Sequence, residues 1–158
     1  MEEINIDVRA ARAAAFFKAG YNCSQSVVLA YADLYGMDMK MAATIASSFG
    51  AGMGRLREVC GAVSGMFVLA GLHCPAADPT DRVSKTANYA LVQALAAQFR
   101  SENGSIVCRE LLGLDRPKAD SEGPRPELRT ADYYAKRPCV KCVESAARIF
   151  GEKITSKL

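Results

Sequence analysis

The sequence predicts an all-α fold, a compact single-domain bundle of about six to seven helices. Three observations carry this. Apolar residues recur at helical spacing, cap residues and glycines punctuate those runs, and no segment has a convincing period of two. A chain of 158 residues fits one domain spanning 1–158. It is far above the roughly 40 residues below which staples become necessary. Half of its residues are hydrophobic, as in a globular chain.

The first helix is expected over Asp7 to Ala19, with Val8, Ala11, Ala15, Phe16 and Ala19 in phase and Gly20 as the stop. Asn22 is a good N-cap for a second helix from Cys23 to Tyr35, ended by Gly36. Asp38 caps a third, from Met39 to Phe49, and Gly50-Ala51-Gly52-Met53-Gly54 then breaks the chain. A fourth runs from about Val59 to Leu72 and carries Gly61, Ala62, Ser64, Gly65 and Ala70. Glycine costs a helix about 1 kcal/mol relative to alanine. Small residues at this spacing therefore point to a close approach by a cofactor, a neighbouring helix or a second copy.

Pro79-Thr80 opens the fifth and longest helix, from Asp81 to about Glu102, with Val83, Ala87, Ala90, Leu91, Ala94, Leu95 and Phe99 as its apolar face. Ser105 caps a short helix from Val107 to Leu112. The Pro-rich, charged stretch at about 114–129 reads as a surface loop. The last helix begins near Pro138-Cys139 and runs to about Lys153, with Val143, Ala146, Ala147 and Phe150 facing inward. No internal repeat is found, and the short connections favour antiparallel neighbours.

The net charge of +3 is mild, and no basic stripe interleaves with aromatics, so nucleic acid is not an expected partner. The start, Met1-Glu2-Glu3-Ile4-Asn5-Ile6-Asp7, is acidic and polar, unlike a secretory signal. The longest apolar run, Val59 to Leu72, falls short of the ~18 residues of a membrane span. A cytoplasmic protein is expected, a setting in which cysteine clusters are more often catalytic or metal-binding than structural.

Six cysteines are the chemical signal, and most stand at helix starts. Cys23 follows the cap Asn22, Cys60 and Cys108 sit in first turns, and Cys139 and Cys142 open the last helix. A helix N-terminus favours a thiolate by roughly 0.3–1 kcal/mol. Several such starts converging on one point would do more, with Arg55, Arg57 and Arg109 as further anion stabilisers. Core cysteine is a common small hydrophobe, but core packing gives no reason to prefer helix starts.

Cys74, at the wrong end of its helix for a thiolate, reads as structural, and His73 as a surface or capping group. Cys139-Val140-Lys141-Cys142 has redox spacing without a βαβ context. Val143 rules out a Cys-x-x-Cys-His haem attachment. The Gly50–Gly54 stretch lacks nucleotide-loop spacing and is expected to let the backbone pass close to the Cys60 turn. Glu58, Glu110 and Glu144 read as solvated surface.

The chain resembles the family named for its C–GCAxxG–C–C cysteine pattern and described as redox-active on the strength of four shared cysteines. The residues that carry this are Gly20-Tyr21-Asn22-Cys23-Ser24-Gln25-Ser26-Val27, Phe49-Gly50-Ala51-Gly52-Met53-Gly54 and Cys60-Gly61-Ala62-Val63-Ser64-Gly65. Cys108-Arg109-Glu110-Leu111-Leu112-Gly113 and Cys142 with Val143, Ala146 and Ala147 complete it. Cys142 is placed at the fourth family cysteine, with Cys139 and Cys74 as additions. Similar domains are joined to multihaem cytochrome segments carrying an iron–sulfur centre, which implies electron transfer or cluster binding.

Two active readings and one passive one follow. In the first, Cys60 is the principal thiolate, Cys23, Cys108 or Cys142 resolve it through reversible disulfides, and Cys139 is secondary; a redox partner protein is implied. In the second, Cys23, Cys60, Cys108 and Cys142 ligate an iron–sulfur cluster or a metal, with Gly61, Ala62 and Gly65 making room for it. In the third, the cysteines pack the core of a helical interaction subunit.

Overall fold

The computed structural model describes residues 3–156; the acidic start at Met1 and Glu2 lies outside the described residues. Among the described residues it is all-α, with six helices of eight or more residues and three shorter ones. The long ones are α1 (Ile6–Lys18), α2 (Cys23–Tyr31), α3 (Met39–Ala46), α4 (Gly61–His73), α5 (Arg82–Asn103) and α9 (Cys139–Thr155). The short ones are α6 (Cys108–Leu111), α7 (Arg116–Ser121) and α8 (Ala131–Lys136). None of the described helices is long and apolar enough to cross a membrane.

The caps fall where the side chains dictate. Asn5, Asn22, Asp38 and Asp81 each accept a backbone N–H at the start of α1, α2, α3 and α5. At Asn22 the capping box is complete: Gln25 donates its backbone N–H to Asn22 Oδ1, and Gln25 Oε1 accepts the Asn22 N–H. The same two side chains donate to the carbonyls of Ser47 and Ala43, which ties the end of α3 to the start of α2.

The second and third helices end earlier than their periodicity suggests. Each closes in a tighter 3₁₀ turn, over Ala32–Tyr35 and Ser47–Phe49.

The core is built around α4, which is apolar on all sides and packs against α2, α5 and α9. Its small residues serve a neighbouring helix. A Cβ on Gly65 would stand 3.0 Å from the Ser24 carbonyl oxygen and from Val27 Cβ, both on α2. Side-chain bulk is missing there because the α2 backbone occupies the space. Tyr31 of α2 reaches α9, and its hydroxyl donates to the Ala147 carbonyl at 2.6 Å inside the core.

The expected inward face of α5 is only half covered. Leu95 and Phe99 are buried, but Val83 is 81% exposed and Ala87 and Ala90 are exposed. Helix length explains this: 22 residues span about 33 Å and 13 span about 20 Å, so α5 outruns α4 and its first turns have nothing to pack on.

The largest difference from expectation is the stretch at about 114–129. It contains α7, is followed by the separate helix α8, and its end folds back over the starts of α2, α4 and α9. We refer to residues 122–129 as the strap.

The α2–α4 approach gives a direct test. Replacing Gly65 by Val should lower stability by roughly 1–3 kcal/mol through overpacking. The readout is the urea midpoint at unchanged slope. An unchanged midpoint would show that the two helices are not in close contact.

Candidate functional site: a cavity lined by five cysteines

Five of the six sulfurs meet in one cavity of about 240 Å³. Cys23 reaches it from the first residue of α2, Cys60 from the N-cap of α4, and Cys108 from the first residue of α6. Cys139 and Cys142 enter from the first turn of α9. All are free thiols; four are buried and Cys139 is half-buried. Cys74 lies elsewhere, as the C-cap of α4, with its N–H on the Ala70 carbonyl and its own carbonyl accepting from Asn88. His73 also faces away, with Nδ1 2.9 Å from the Tyr35 hydroxyl.

Local backbone structure delivers these sulfurs. Val59 and Val107 form an isolated antiparallel bridge. In it the Cys60 N–H donates to the Ile106 carbonyl at 2.8 Å and the Cys108 N–H to the Glu58 carbonyl at 2.6 Å. The bridge sets Cys60 and Cys108 side by side although the two lie far apart in sequence.

The Gly50–Gly54 stretch forms the floor. Ala51, Gly52, Met53 and Gly54 all have positive φ, and the Gly54 N–H bonds to the Gly50 carbonyl at 2.9 Å, closing one left-handed turn. Arg55 and Arg57 are left-handed as well. Such backbone costs roughly 1–2 kcal/mol for each non-glycine residue. Glycine at position 52 is obligatory on a second count, because a Cβ there would sit 2.5 Å from Cys108 Cβ. Strain of this kind clusters where function over-determines the backbone.

Within the cavity the cysteines neighbour one another in twos, Cys60 beside Cys142 and Cys23 beside Cys139. Cys60 is held below the ordinary thiol value, chiefly by the adjacent Cys142 thiol and further by the backbone N–H groups of Ala62 and Val63 at the start of α4. Cys142 is pushed well up by the adjacent Cys60 and by burial.

Cys139 is brought down to about 7 by the adjacent Cys23 thiol, with Arg137, the Tyr133 hydroxyl and Arg129 adding to it. Cys23 is correspondingly raised. Cys108 is raised to about 11 by burial, against the pull of Arg57, whose Nη1 stands 3.7 Å from its sulfur. Helix starts alone therefore do not produce five thiolates; α6, with four residues, has little dipole to offer.

Arginines and the strap complete the walls. Arg57 is 3% exposed. Burial disfavours its cation, and bonds to Glu122 and Cys108 more than offset that. Its Nε donates to Glu122 Oε1 at 2.7 Å, and Glu127 Oε1 lies 4.0 Å from its Nη2. Arg55 holds the strap too, through Glu122 and the Gly123 carbonyl. Arg137 pairs with Glu127. Arg129 donates to the Phe17 and Tyr21 carbonyls and stacks on Phe17, 4.2 Å from its ring centre.

Of the expected residues, Cys23, Cys60, Cys108, Cys139, Cys142, Arg55, Arg57 and Gly61 line the cavity, and Ala62, Gly65 and Arg109 do not. Ala62 is buried in the core, Gly65 packs on α2, and Arg109 pairs with Glu58 on the outer side. Sequence reasoning missed Arg129, Arg137, Tyr133 and the strap carboxylates. The only local hint was Arg137-Pro138-Cys139, which puts a cation two residues ahead of a helix-start thiol.

A four-thiolate ligand set is a separate matter. Among the described residues no three His, Cys, Asp or Glu side chains are grouped to hold a metal ion. Cys60 neighbours Cys142, Cys23 neighbours Cys139, and the Cys108 sulfur faces the Arg57 guanidinium.

The sequence profile of the family described as "Putative redox-active protein (C_GCAxxG_C_C)" matches residues 21–153. The chain belongs to this family. No curated protein and no solved structure matches it significantly. The matched region contains all five cavity cysteines, the left-handed turn and the strap.

The depressed Cys139 value has a measurable consequence. A thiol titrating near 7 is mostly thiolate at pH 8 and mostly thiol at pH 6, whereas an ordinary thiol at 9 is protonated at both. Alkylation of Cys139 by iodoacetamide, followed by peptide mapping, should rise with a midpoint near pH 7. Replacing Arg137 by Gln should move that midpoint upward. A midpoint near 9 in the unaltered chain would contradict this electrostatic picture.

Proposed function

We propose that the protein is a small thiol-redox protein that exchanges disulfides through two cysteine pairs, Cys60 with Cys142 and Cys23 with Cys139. The supporting observation is that five thiols line one cavity, with Cys60 beside Cys142 and Cys23 beside Cys139, and with Cys60 and Cys139 favoured as thiolates. Thiol–disulfide exchange requires a thiolate nucleophile and a resolving thiol within reach of it.

The electron count closes on sulfur. The Cys139 thiolate attacks one sulfur of an incoming disulfide, forming a mixed disulfide and expelling the other half as a thiolate. The Cys23 thiol gives its proton to the departing thiolate and attacks the Cys139 sulfur, releasing the second half. Two electrons pass from the pair to the substrate. Cys60 then attacks Cys23 in the new bridge, Cys139 leaves as a thiolate, and Cys142 resolves Cys60. The first pair is reduced again and the second holds the disulfide. Cys60 is thus the inner nucleophile and Cys139 the outer one. A cytoplasmic thiol pool or a redox partner protein resets the second pair.

Arg57 and Cys108 support the cycle without carrying electrons. Arg57 positions the Cys108 sulfur and anchors the strap, and its positive field favours thiolates in the cavity.

Mild oxidation of the folded, reduced protein followed by disulfide mapping tests this. Two bridges, Cys23–Cys139 and Cys60–Cys142, are expected, with a mass loss of two protons for each. Replacing Cys142 by Ser should leave the first bridge and remove the second. An unchanged mass, or iron and visible absorption in anaerobically purified protein, would overturn the exchange reading and favour the iron–sulfur alternative.

A further inference from the structure

The cavity wall already holds a carboxylate, and it belongs to the chain itself. Glu127 lines the cavity from the strap, pairs with Arg137 and lies 4.0 Å from Arg57. It is the loosest of these groups: its side chain is 40% exposed, against 18% for Arg137 and 3% for Arg57. The next residue, Leu128, is 83% exposed and adds no packing of its own there. Four guanidiniums, those of Arg55, Arg57, Arg129 and Arg137, line the cavity with this single carboxylate. Glu122 faces two of them from behind.

Arg137 stands two residues ahead of Cys139 and favours its thiolate. The guanidinium that grips a carboxylate and the sulfur that exchanges are therefore neighbours on one wall. Scale limits what enters. A cavity of about 240 Å³ equals the liquid volume of roughly eight waters. Cys139 is the least buried of the five sulfurs, and a compound of a few heavy atoms suits a cavity of this size.

We infer that the cavity takes a small, carboxylate-bearing disulfide, whose carboxylate replaces Glu127 on Arg137 while its S–S bond meets Cys139. This rests on the exchange reading above and names its substrate class. Replacement is charge-neutral at the guanidinium: one carboxylate leaves for water as another arrives, so the half-buried Arg137 cation is never unpaired. The reaction is the single exchange already written. Cys139 and Cys23 become a disulfide, and the substrate becomes two carboxylate-bearing thiols. Glu127 thereby closes the empty cavity and competes with weakly bound anions.

Single-turnover kinetics with the fully reduced protein and three disulfides of similar length test this. The probes are dithiodiglycolate (a dianion), bis(2-hydroxyethyl) disulfide (neutral) and cystamine (a dication), with released thiol as the readout. The dianion should react about tenfold faster than the neutral compound, the advantage expected of one charge-assisted contact, and the dication should be slowest. Glu127→Gln should widen the dianion-to-neutral ratio several-fold. Arg137→Gln should bring that ratio to about one.

Using a ratio cancels any change in Cys139 reactivity common to both compounds. If Arg137→Gln does not fold, high salt in the unaltered protein should compress the ratio in the same direction. Equal rates for all three compounds, with the Cys23–Cys139 bridge still forming, would overturn this inference alone. A narrower ratio in Glu127→Gln would do the same. Failure of every compound to form that bridge would overturn the exchange reading and this inference with it.

Discussion

A buried guanidinium must be paired, and the architecture around the cysteines follows from satisfying Arg57. A cation withdrawn from water costs several kcal/mol unless its hydrogen bonds are met. Arg57 finds its partners in two separate stretches of chain. Glu122 comes from the strap, Cys108 from the start of α6, and the left-handed backbone at residues 51–55 and at Arg57 aims the side chain at both. Removing Glu122 would take the directly bonded carboxylate from this cation. The strap thus lies over the cysteines because a cation beneath it requires a carboxylate, and the strained turn persists because it supplies that cation.

The same economy governs the thiols. Five thiolates in one small cavity would repel one another, and the helix starts are too weak to hold them all. Pairing resolves the conflict. In each pair one thiol is lowered and its neighbour raised, so Cys60 and Cys139 are favoured as anions over Cys142 and Cys23. The two anionic positions are not equivalent. Cys60 draws on the N–H groups of α4 and lies deep. Cys139 draws on Arg137, Arg129 and Tyr133 and lies nearest to solvent. The inner and outer nucleophiles of the proposed cycle thus owe their stabilisation to different elements of one cavity.

Local features were legible in the sequence and distant ones were not. Asn22, Asp38 and Gly36 act through neighbours three or four residues away, so their caps could be read directly. The small residues of α4 signalled close approach, but only the Ser24 carbonyl against Gly65 identifies α2 as what approaches. The convergence of Cys23, Cys60, Cys108, Cys139 and Cys142 could be inferred from their shared preference for helix starts.

Their pairing could not. Cys139, read as secondary, partners Cys23 from the far end of the chain, and nothing at either position announces the other. The strap was hidden for a similar reason. Its Pro-rich, charged composition is that of a solvated loop, and its role depends on Arg57, 65 residues away from Glu122. Val83 misled in the opposite sense: its periodicity is helical and apolar, but burial also needs a neighbour of matching length.

The claim beneath the whole account is that two cysteine pairs, each drawn from remote stretches, already stand together in the reduced protein. Arsenite binding to the reduced, folded chain tests this without any oxidation, because trivalent arsenic is held firmly only by thiols that lie side by side. The account predicts two equivalents bound, with Cys23, Cys139, Cys60 and Cys142 shielded from alkylation and Cys74 left reactive. No binding, with all six thiols alkylated alike, would contradict it.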